Sequence, residues 1–317
     1  MDVLRWPGSG ARPPRCGVVT VGVFDGVHVG HAAILECVVS EARARSCRSA
    51  VVTFDRHPGA LLNAAPQPAI TSLDHRIRLF AALGLDACVV VEFTAAVAAT
   101  AAEDFARSVF GDLLQARVVV LGEDARFGHG RRGDAALLKA LGLAVRRVGP
   151  VLVGGRRVSS TAIRQAIRAG DFEDAHRLLG RPFSLYGIVV RGAQRGRALG
   201  YPTANLNVQN EAIPPEGVYA GWAMANGERM PCAISVGRCE TFAPGPSLPV
   251  MVEVHLLDRS MDLYGRRLEV EFVCRLRPQQ TFESATDLSA QIARDVAACR
   301  DVLAGPQDGS SGAEGSS

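Results

Sequence analysis

Two histidines, His28 and His31, are the side chains whose type and spacing most directly suggest chemistry on phosphate. They lie in the segment GVFDGVHVGH, residues 22–31. The apolar run from Cys16 to Val23 predicts a strand, and a helix is expected to start at about His31. A helix N-terminus attracts phosphate, and imidazolium donors suit the charge that develops at phosphorus during transfer. The pattern predicts a phosphate site; the alternative is a surface histidine and a capping histidine after an ordinary glycine turn.

A second segment with suitable chemistry is SSTAIR, residues 159–164. Small hydroxyl groups at a helix start can bind phosphate oxygens, and Arg164, one helical turn further on, can grip a leaving pyrophosphate. By itself the segment is also compatible with a helix cap followed by an exposed arginine.

The glycine- and arginine-rich segment 192–206 suggests a second nucleotide site of another kind. It contains no GxxxxGK motif, and Lys139, the only lysine, lies elsewhere, which excludes a P-loop kinase. Such a loop can still place backbone N–H groups on phosphates. Thr203 and Asn205 face the same side of an extended backbone, and their oxygens suit Mg²⁺. The alternative is a mobile hairpin with a turn-forming asparagine.

Glu253 lies on a predicted strand over Met251 to Leu257. Alternation along this strand puts Glu253 and His255 on one face and its valines on the other. By itself this pattern is compatible with a strand glutamate that faces solvent.

The elements that position these residues differ between the two halves of the chain. Strands alternating with helices in the first half predict an α/β fold with a doubly wound parallel sheet, in which ligands bind at the carboxyl ends of the strands. Short strands and one terminal helix in the second half predict a small antiparallel β-barrel. The expected boundaries are 1–180 for the first domain, 181–304 for the second and 305–317 for a disordered tail rich in Gly and Ser.

The predicted elements have the following bounds. The first half has strands over Cys16 to Val23, Ser49 to Phe54, Ala87 to Phe93 and Arg117 to Leu121, and helices over Ala32 to Arg45, Arg76 to Leu83, Ala102 to Phe110 and Asp134 to Leu141. The second half has strands over Ser184 to Val190, Gly217 to Ala225, Met230 to Val236, Met251 to Leu257 and Arg267 to Cys274, and a helix over Ser284 to Leu303.

Composition excludes several classes of function. The 317 residues are 48% apolar, which is enough for two domains with their own cores. A net charge of +3 gives no basic footprint for nucleic acid, and no apolar stretch is long enough to cross a membrane. The eight cysteines contain no CxxC pair, which indicates reduced thiols and a cytoplasmic protein.

The ordered motifs resemble those of the bacterial bifunctional riboflavin kinase/FAD synthetases. In the first half, GVFDGVHVGH resembles the signature of the HxGH nucleotidyltransferases, and TFDRHP (53–58), GEDARFG (122–128) and SSTAIR resemble further family motifs. In the second half, GRALGYPTANL (196–206), VEVHLLD (252–258) and DLYG (262–265) resemble the riboflavin kinase signature. The resemblance runs from about Val18 to Leu303.

This resemblance implies a bifunctional ATP-using enzyme. Riboflavin and ATP would give FMN, and FMN and ATP would give FAD and pyrophosphate, with Mg²⁺ as the metal. The implied catalytic residues are Glu253, His28, His31 and Arg164. The implied ATP and phosphate contacts are Gly22, Phe24, Asp25, Gly30, Asp124, Ser159, Ser160, Thr161, Gly192, Gly196 and Gly200, the flavin contacts Arg126, Phe127 and Tyr264, and the metal ligands Thr203 and Asn205.

Four residues depart from the family's pattern. Arg56 stands where the family has Pro, Ala125 where it has Phe, and Cys239 and Glu240 where it has Asn and Pro. These departures leave two alternatives open: a relative that keeps one activity or acts on a modified flavin, and a flavin- or nucleotide-binding regulator without catalysis. The retained histidines and Glu253 argue against the regulator, because a protein that only binds has little use for a base.

Overall fold

The computed structural model describes residues 1–8, 15–59, 67–192, 200–238, 250–259 and 261–305. These residues form two compact units. The first unit consists of Met1–Phe183 together with Gln209–Ile213, and the second of Ser184–Val208 together with the chain from Pro214 onward. The segment Gln209–Ile213 therefore belongs to the first unit, although in sequence it lies between two parts of the second unit.

The first unit is built on a parallel sheet of six strands among the described residues, in the order β1-β4-β3-β2-β5-β6. The strands are β1 (Asp2–Trp6), β2 (Val18–Val21), β3 (Ser49–Phe54), β4 (Ala87–Val91), β5 (Val118–Gly122) and β6 (Ala144–Val148). The four inner strands are apolar runs, because both faces of a parallel sheet are covered. Val19 and Val21 pack into one core cluster and Val18 into the other. The predicted doubly wound α/β fold is confirmed.

Helices connect these strands and pack against the sheet. They are α1 (Val29–Ala44), α2 (Leu73–Ala82), α3 (Ala95–Ala98), α4 (Ala102–Phe105), a π-helix (Ala106–Leu113), a 3₁₀ turn (His129–Arg131), α5 (Ala135–Ala140), α6 (Ser160–Ala169) and α7 (Phe172–Leu179). A two-stranded ribbon, β7 (Leu152–Val153) with β8 (Arg156–Arg157), precedes α6.

The first unit differs from the sequence prediction in several features, among them its edge strands and the bounds and type of two helices. Strands β1 and β6 were not expected, because they lie at the two edges of the sheet and their exposed residues break the apolar run. Helix α1 starts at Val29 and not at His31, with His28 as its N-cap. The single helix predicted over Ala102 to Phe110 is an α-helical turn that continues as a π-helix.

The second unit is a closed antiparallel barrel with the strand order β10-β13-β12-β11-β14-β9. Its strands are β9 (Ser184–Val190), β10 (Ala204–Val208), β11 (Gly217–Ala225), β12 (Glu228–Arg238), β13 (Val250–Leu256) and β14 (Arg267–Arg277). The terminal helix α8 (Ala285–Ala304) begins at its N-cap Ser284 and packs Val296, Cys299 and Leu303 on the barrel. The predicted barrel and its terminal helix are confirmed.

Strand β10 was missed because its sequence, ANLNV, contains two asparagines, which are depleted in strands. Its pairing with β9 and β13 supplies the stability that local propensity does not. The tail expected to be disordered lies, apart from Gly305, outside the described residues. None of the helices in the described part of the chain is both long and apolar enough to cross a membrane.

Candidate functional site

The turn between β2 and α1 has an unusual backbone. Phe24 and Val27 adopt positive φ angles of 52° and 40°, and Gly26 lies between them at 83°. A β-branched residue rarely adopts this conformation, so the turn is strained and must be held by its surroundings. Thr71 Oγ1 accepts a hydrogen bond from the N–H of Gly26 at 2.9 Å. The Arg181 guanidinium donates to the carbonyls of Gly26 and Val27 at 2.7 and 2.9 Å.

His28 and His31 form a stacked pair at the start of α1. Their ring centroids lie 3.6 Å apart with an interplanar angle of 15°. His28 is the N-cap, and its Nδ1 accepts a hydrogen bond from the His31 N–H at 3.2 Å. The neutral His28 ring therefore carries its hydrogen on Nε2. The edge of Phe24 contacts His31, with ring centroids 5.3 Å apart.

Burial sets the charge of both rings. It lowers the pKa of His28 to about 4, although the nearby Asp25 carboxylate acts in the opposite direction. Burial, and then the charges of His28, Arg76 and Arg181, lower the pKa of His31 well below its usual value. Both histidines are therefore neutral N–H donors at pH 7, not the imidazolium ions expected from the sequence. A triphosphate placed against them would raise both pKa values.

Asp25 and Arg164 form a buried ion pair beside this turn. Arg164 Nη2 donates to Asp25 Oδ2 at 2.6 Å, and its Nε donates to the Pro68 carbonyl at 2.7 Å. The Asp25 carboxylate also accepts hydrogen bonds from the N–H groups of Ile70 and Thr71 at 3.0–3.1 Å. Both side chains thus have protein partners. This geometry favours a role in fixing the turn and disfavours direct contact with a phosphate.

The N-terminus of α6 meets the same turn. Ser159 is the N-cap and accepts a hydrogen bond from the Ala162 N–H at 3.3 Å. Ser160 Oγ donates to the backbone carbonyl of Asp25 at 3.1 Å, and Thr161 is exposed. The starts of α1 and α6 are therefore linked through Asp25. Two helix N-termini in one place offer N–H groups and favourable dipoles to a polyphosphate.

The GEDARFG segment is not joined to the histidine pair by the contacts described. Asp124 is exposed and forms an ion pair with Arg157 at 2.5 Å. Arg126 donates to the Ala125 carbonyl at 2.9 Å. Phe127 is only 6% exposed and belongs to the apolar core, where its ring contacts Phe105 and Phe110. The structure thus gives Phe127 a core position, and its contact with a flavin stays a prediction.

Two arginines of this site were missed by the sequence analysis. Arg76 is buried and donates to the carbonyls of Val23 and Phe54 at 2.5 and 3.0 Å, which ties together the ends of β2 and β3. Arg181 holds the strained turn, as described above. Neither residue belongs to a recognisable motif. Only their long-range contacts identify them.

In the second unit, Asn205 and Glu253 face each other across two paired strands. Their backbones are direct partners in the antiparallel pairing of β10 with β13, so their side chains lie on the same face. Ser235 of β12 is the next partner of Glu253 in the same row. Asn205 is buried although it is polar. The row places an amide, a carboxylate and a hydroxyl together on one face of the barrel wall.

Gly192 allows the chain to pass close to Asn205. A Cβ atom at position 192 would lie 2.1 Å from Asn205 Nδ2, so a side chain there would displace the amide. Gly200 has a φ of 86°, a conformation that favours glycine. Gly196, which lies between them, is outside the described residues. The expected role of this segment as a phosphate loop stays a prediction.

Alternation along β13 is as expected. Val252, Val254 and Leu256 are buried, whereas Glu253 and His255 lie partly exposed on the opposite face. His255 Nδ1 lies 2.9 Å from the Pro202 carbonyl, and its ring contacts Tyr201 edge-on. His255 therefore anchors the start of the PTAN segment.

The remaining predicted residues and departures are placed as follows. Thr203 is half-buried just before β10, and Tyr264 is 45% exposed in a turn where its N–H donates to Asp262. Arg56 is exposed and contacts only its neighbour Asp55 among the contacts described. Ala125 packs partly buried against the core of the first unit. Cys239 and Glu240 lie outside the described residues.

The side-chain oxygen atoms of Thr203 and Asn205 are the kind of donor that Mg²⁺ prefers. No group of three or more His, Cys, Asp or Glu residues that could hold a metal ion occurs in the described part of the chain. Two such donors fit an Mg²⁺ ion that is bound together with a nucleotide and keeps phosphate and water ligands.

Comparison with known families assigns each half of the chain. Residues 11–162 match the family model described as FAD synthetase. Residues 179–303 match the model described as riboflavin kinase.

Curated relatives match the chain over nearly its whole length. A bifunctional riboflavin kinase/FMN adenylyltransferase of Escherichia coli K12 is 37% identical over 96% of this chain and 98% of its own. One from Pseudomonas fluorescens is 37% identical over 93% of this chain and 96% of its own. A crystal structure described as a macrolide-efflux protein from Streptococcus pneumoniae superposes with a TM-score of 0.78 at 29% identity, covering 95% of this chain and 99% of the other.

Proposed function

The chain belongs to the bifunctional riboflavin kinase/FMN adenylyltransferase family, and from this premise we propose which residues carry each of its two reactions. The enzyme phosphorylates riboflavin to FMN and transfers an adenylyl group from ATP to FMN. We assign adenylyl transfer to the turn of His28 and His31 with the N-terminus of α6. We assign riboflavin phosphorylation to the row of Asn205 and Glu253. The observation that carries the first assignment is the stacked histidine pair at a helix N-terminus.

Adenylyl transfer needs positioning and charge neutralisation more than covalent chemistry. A phosphate oxygen of FMN attacks the α-phosphorus of ATP, the bond to the bridging oxygen breaks, and pyrophosphate leaves with that electron pair. The Nε2–H of His28 and an N–H of His31 donate to the phosphate oxygens as negative charge builds there. The N-termini of α1 and α6 add backbone donors.

Asp25 and Arg164 act by positioning in this scheme. Their ion pair joins the turn after β2 to helix α6, and Ser160 makes a second link to the same turn. A displacement of about 1 Å at a reacting centre can cost about 100-fold in rate. We therefore assign the pair to fixing the distance between the two helix N-termini.

Riboflavin phosphorylation requires a base and a bound nucleotide. Glu253 accepts the proton of the ribityl 5′-hydroxyl. The hydroxyl oxygen attacks the γ-phosphorus of ATP, the bond from this phosphorus to the bridging oxygen breaks, and ADP leaves. Asn205 and Thr203 would hold an Mg²⁺ ion bound with ATP, which would neutralise charge on the phosphates. The buried position of Asn205 directly opposite Glu253 supports this division of roles.

We further propose that the two activities divide near residue 180, with 1–180 and 181–304 as the working domains. The family models, which end at residue 162 and begin at residue 179, support that division. We also propose a cytoplasmic location, which agrees with a sequence whose eight cysteines contain no CxxC pair.

A product analysis tests the proposed function. The purified full-length protein is incubated with riboflavin, ATP and Mg²⁺, and FMN and FAD are resolved by chromatography. Both products are expected in sequence, and supplied FMN gives FAD without riboflavin. FMN without FAD, or no product from riboflavin, would contradict the proposal that the chain carries out both reactions.

A further inference from the structure

The segment Gln209–Ile213 belongs to the first unit although it follows β10 of the barrel in sequence. It lies within the residues matched by the riboflavin kinase model. The hydrogen bonds described between this segment and the rest of the first unit involve Ala69, Ile70 and Ser72. The segment therefore ties part of the kinase half of the sequence to the structure of the other half.

The contacts with this stretch are specific. The buried Asn210 donates from Nδ2 to the Ile70 carbonyl at 2.6 Å. Glu211 Oε2 accepts a hydrogen bond from the Ala69 N–H at 2.8 Å. The N–H groups of Glu211 and Ala212 both donate to the Ala69 carbonyl at 2.9 Å. Every polar backbone group of Ala69 is thus bound by this segment.

The other side of the same stretch holds Asp25. The Ile70 N–H donates to the Asp25 carboxylate, while the Ile70 carbonyl accepts from Asn210. The adjacent Pro68 carbonyl accepts from Arg164. The short stretch from Pro68 to Thr71 therefore has hydrogen bonds to the Asp25–Arg164 ion pair and also to the segment Gln209–Ile213.

We propose that Asn210 and Glu211 are positioning residues for adenylyl transfer, acting through residues 68–71 on Asp25 and Arg164. This inference rests on the assignment of the His28 turn to that reaction. Without these two side chains the stretch loses the hydrogen bonds at the Ile70 carbonyl and at the Ala69 N–H, and keeps only backbone bonds at the Ala69 carbonyl. The carboxylate that fixes the turn can then shift. FMN adenylylation then depends on residues encoded within the kinase half.

The test uses full-length protein with four substitutions: Asn210→Ala, Asn210→Asp, Glu211→Ala and Glu211→Gln. Asp keeps the size of Asn210 but removes its donor, whereas Gln keeps the acceptor that Glu211 offers to Ala69. Asn207→Ala, an exposed asparagine of β10, is the matched control. For each variant, kcat and KM are measured for FMN adenylylation and for riboflavin phosphorylation, with thermal unfolding followed by circular dichroism.

We expect Asn210→Ala and Asn210→Asp to lower kcat for adenylylation about 10- to 100-fold. The KM for FMN and both constants for riboflavin phosphorylation stay within about twofold of wild type. Glu211→Ala lowers the same kcat less, because the side chain is exposed, and Glu211→Gln restores it. Asn207→Ala behaves like wild type in both reactions.

Three results would overturn the proposal. They are adenylylation within about twofold of wild type in both Asn210 variants, an equal fall in both activities with a lower melting temperature, and a Glu211→Gln variant as impaired as Glu211→Ala. His28→Ala in the same assays distinguishes failure of the site assignment from failure of the positioning role of Asn210 and Glu211. If it retains full adenylylation, the site assignment fails; if it loses activity while the Asn210 variants do not, only the positioning role fails.

Discussion

Asp25 and Arg164 are 139 residues apart in sequence, and their side chains meet in an ion pair of 2.6 Å in which each is only 7% exposed. This pair connects the turn after the first inner strand to the helix that begins with the SSTAIR motif. It brings two motifs that are distant in the chain next to each other. It also shows that the motif arginine is part of the scaffold.

Replacing Arg164 by Met should destabilise the first unit by about 3–5 kcal/mol, because the Asp25 carboxylate is left buried without its cation. Arg45→Met is the control, since the ion pair of Arg45 with Glu41 is exposed and should cost less than about 1 kcal/mol. Urea unfolding followed by circular dichroism measures both. Equal losses in the two variants would contradict the structural role of the buried pair.

Replacing His28 by Ala should reduce FAD formation from supplied FMN by about 10²–10³-fold, the range for removing a transition-state donor. FMN formation from riboflavin should stay near wild type. His176→Ala, an exposed histidine of α7, is the matched control. Initial rates of both reactions measure the effect. Wild-type FAD formation in His28→Ala would exclude the ring as a donor.

Stability should fall as the pH drops from about 6.5 to about 4, because burial lowers the pKa of His28 to about 4 in the folded protein. Between these two pH values His28 binds a proton in the unfolded chain but not in the folded chain. The free energy of unfolding is therefore highest above pH 6.5 and falls as the solution is acidified. A His28→Gln variant has no imidazole at this position and should not show this acid-dependent loss of stability, which amounts to at most about 3 kcal/mol. Urea unfolding at pH 7 and pH 4.5 should show a smaller acid loss in the variant. Identical losses would show that burial of the ring is not the cause.

Replacing Glu253 by Gln should lower kcat for riboflavin phosphorylation by about 10²–10⁴-fold, because the amide keeps the size of the side chain but cannot accept the proton. The KM for riboflavin should change little, as expected for an interaction used in the transition state. Adenylylation of supplied FMN should be unchanged. Steady-state kinetics give the values, with the exposed Glu228→Gln as control. A wild-type kcat would refute the base assignment.

Replacing Asn205 by Ala should raise the Mg²⁺ concentration needed for half-maximal riboflavin phosphorylation, because an oxygen ligand is lost. Gly192→Ala should act in the same direction, since the added methyl group would displace the Asn205 amide. Rates measured across an Mg²⁺ titration at fixed ATP test both variants. An unchanged Mg²⁺ dependence in Asn205→Ala would remove this residue from the metal site.

Local pattern was sufficient for much of the fold. The buried strands β2 to β5 are continuous apolar runs, and the barrel strand β13 alternates, so periodicity identified them. The edge strands β1 and β6 and the asparagine-containing β10 were missed, because their stability comes from neighbouring strands. The start of α1 was placed too late, because the pattern did not identify His28 as the N-cap.

The sequence by itself determined the two halves, their fold classes, and the motifs that mark the reactions, because these depend on residues close together along the chain. Tertiary structure alone decided that Arg164 pairs with Asp25, that Asn205 lies opposite Glu253, and that residues 209–213 belong to the first unit. It also decided that His28 and His31 are neutral, because burial shifts a pKa and burial is a property of the whole fold. Pairings over such distances depend on how the chain packs, and no local pattern specifies them.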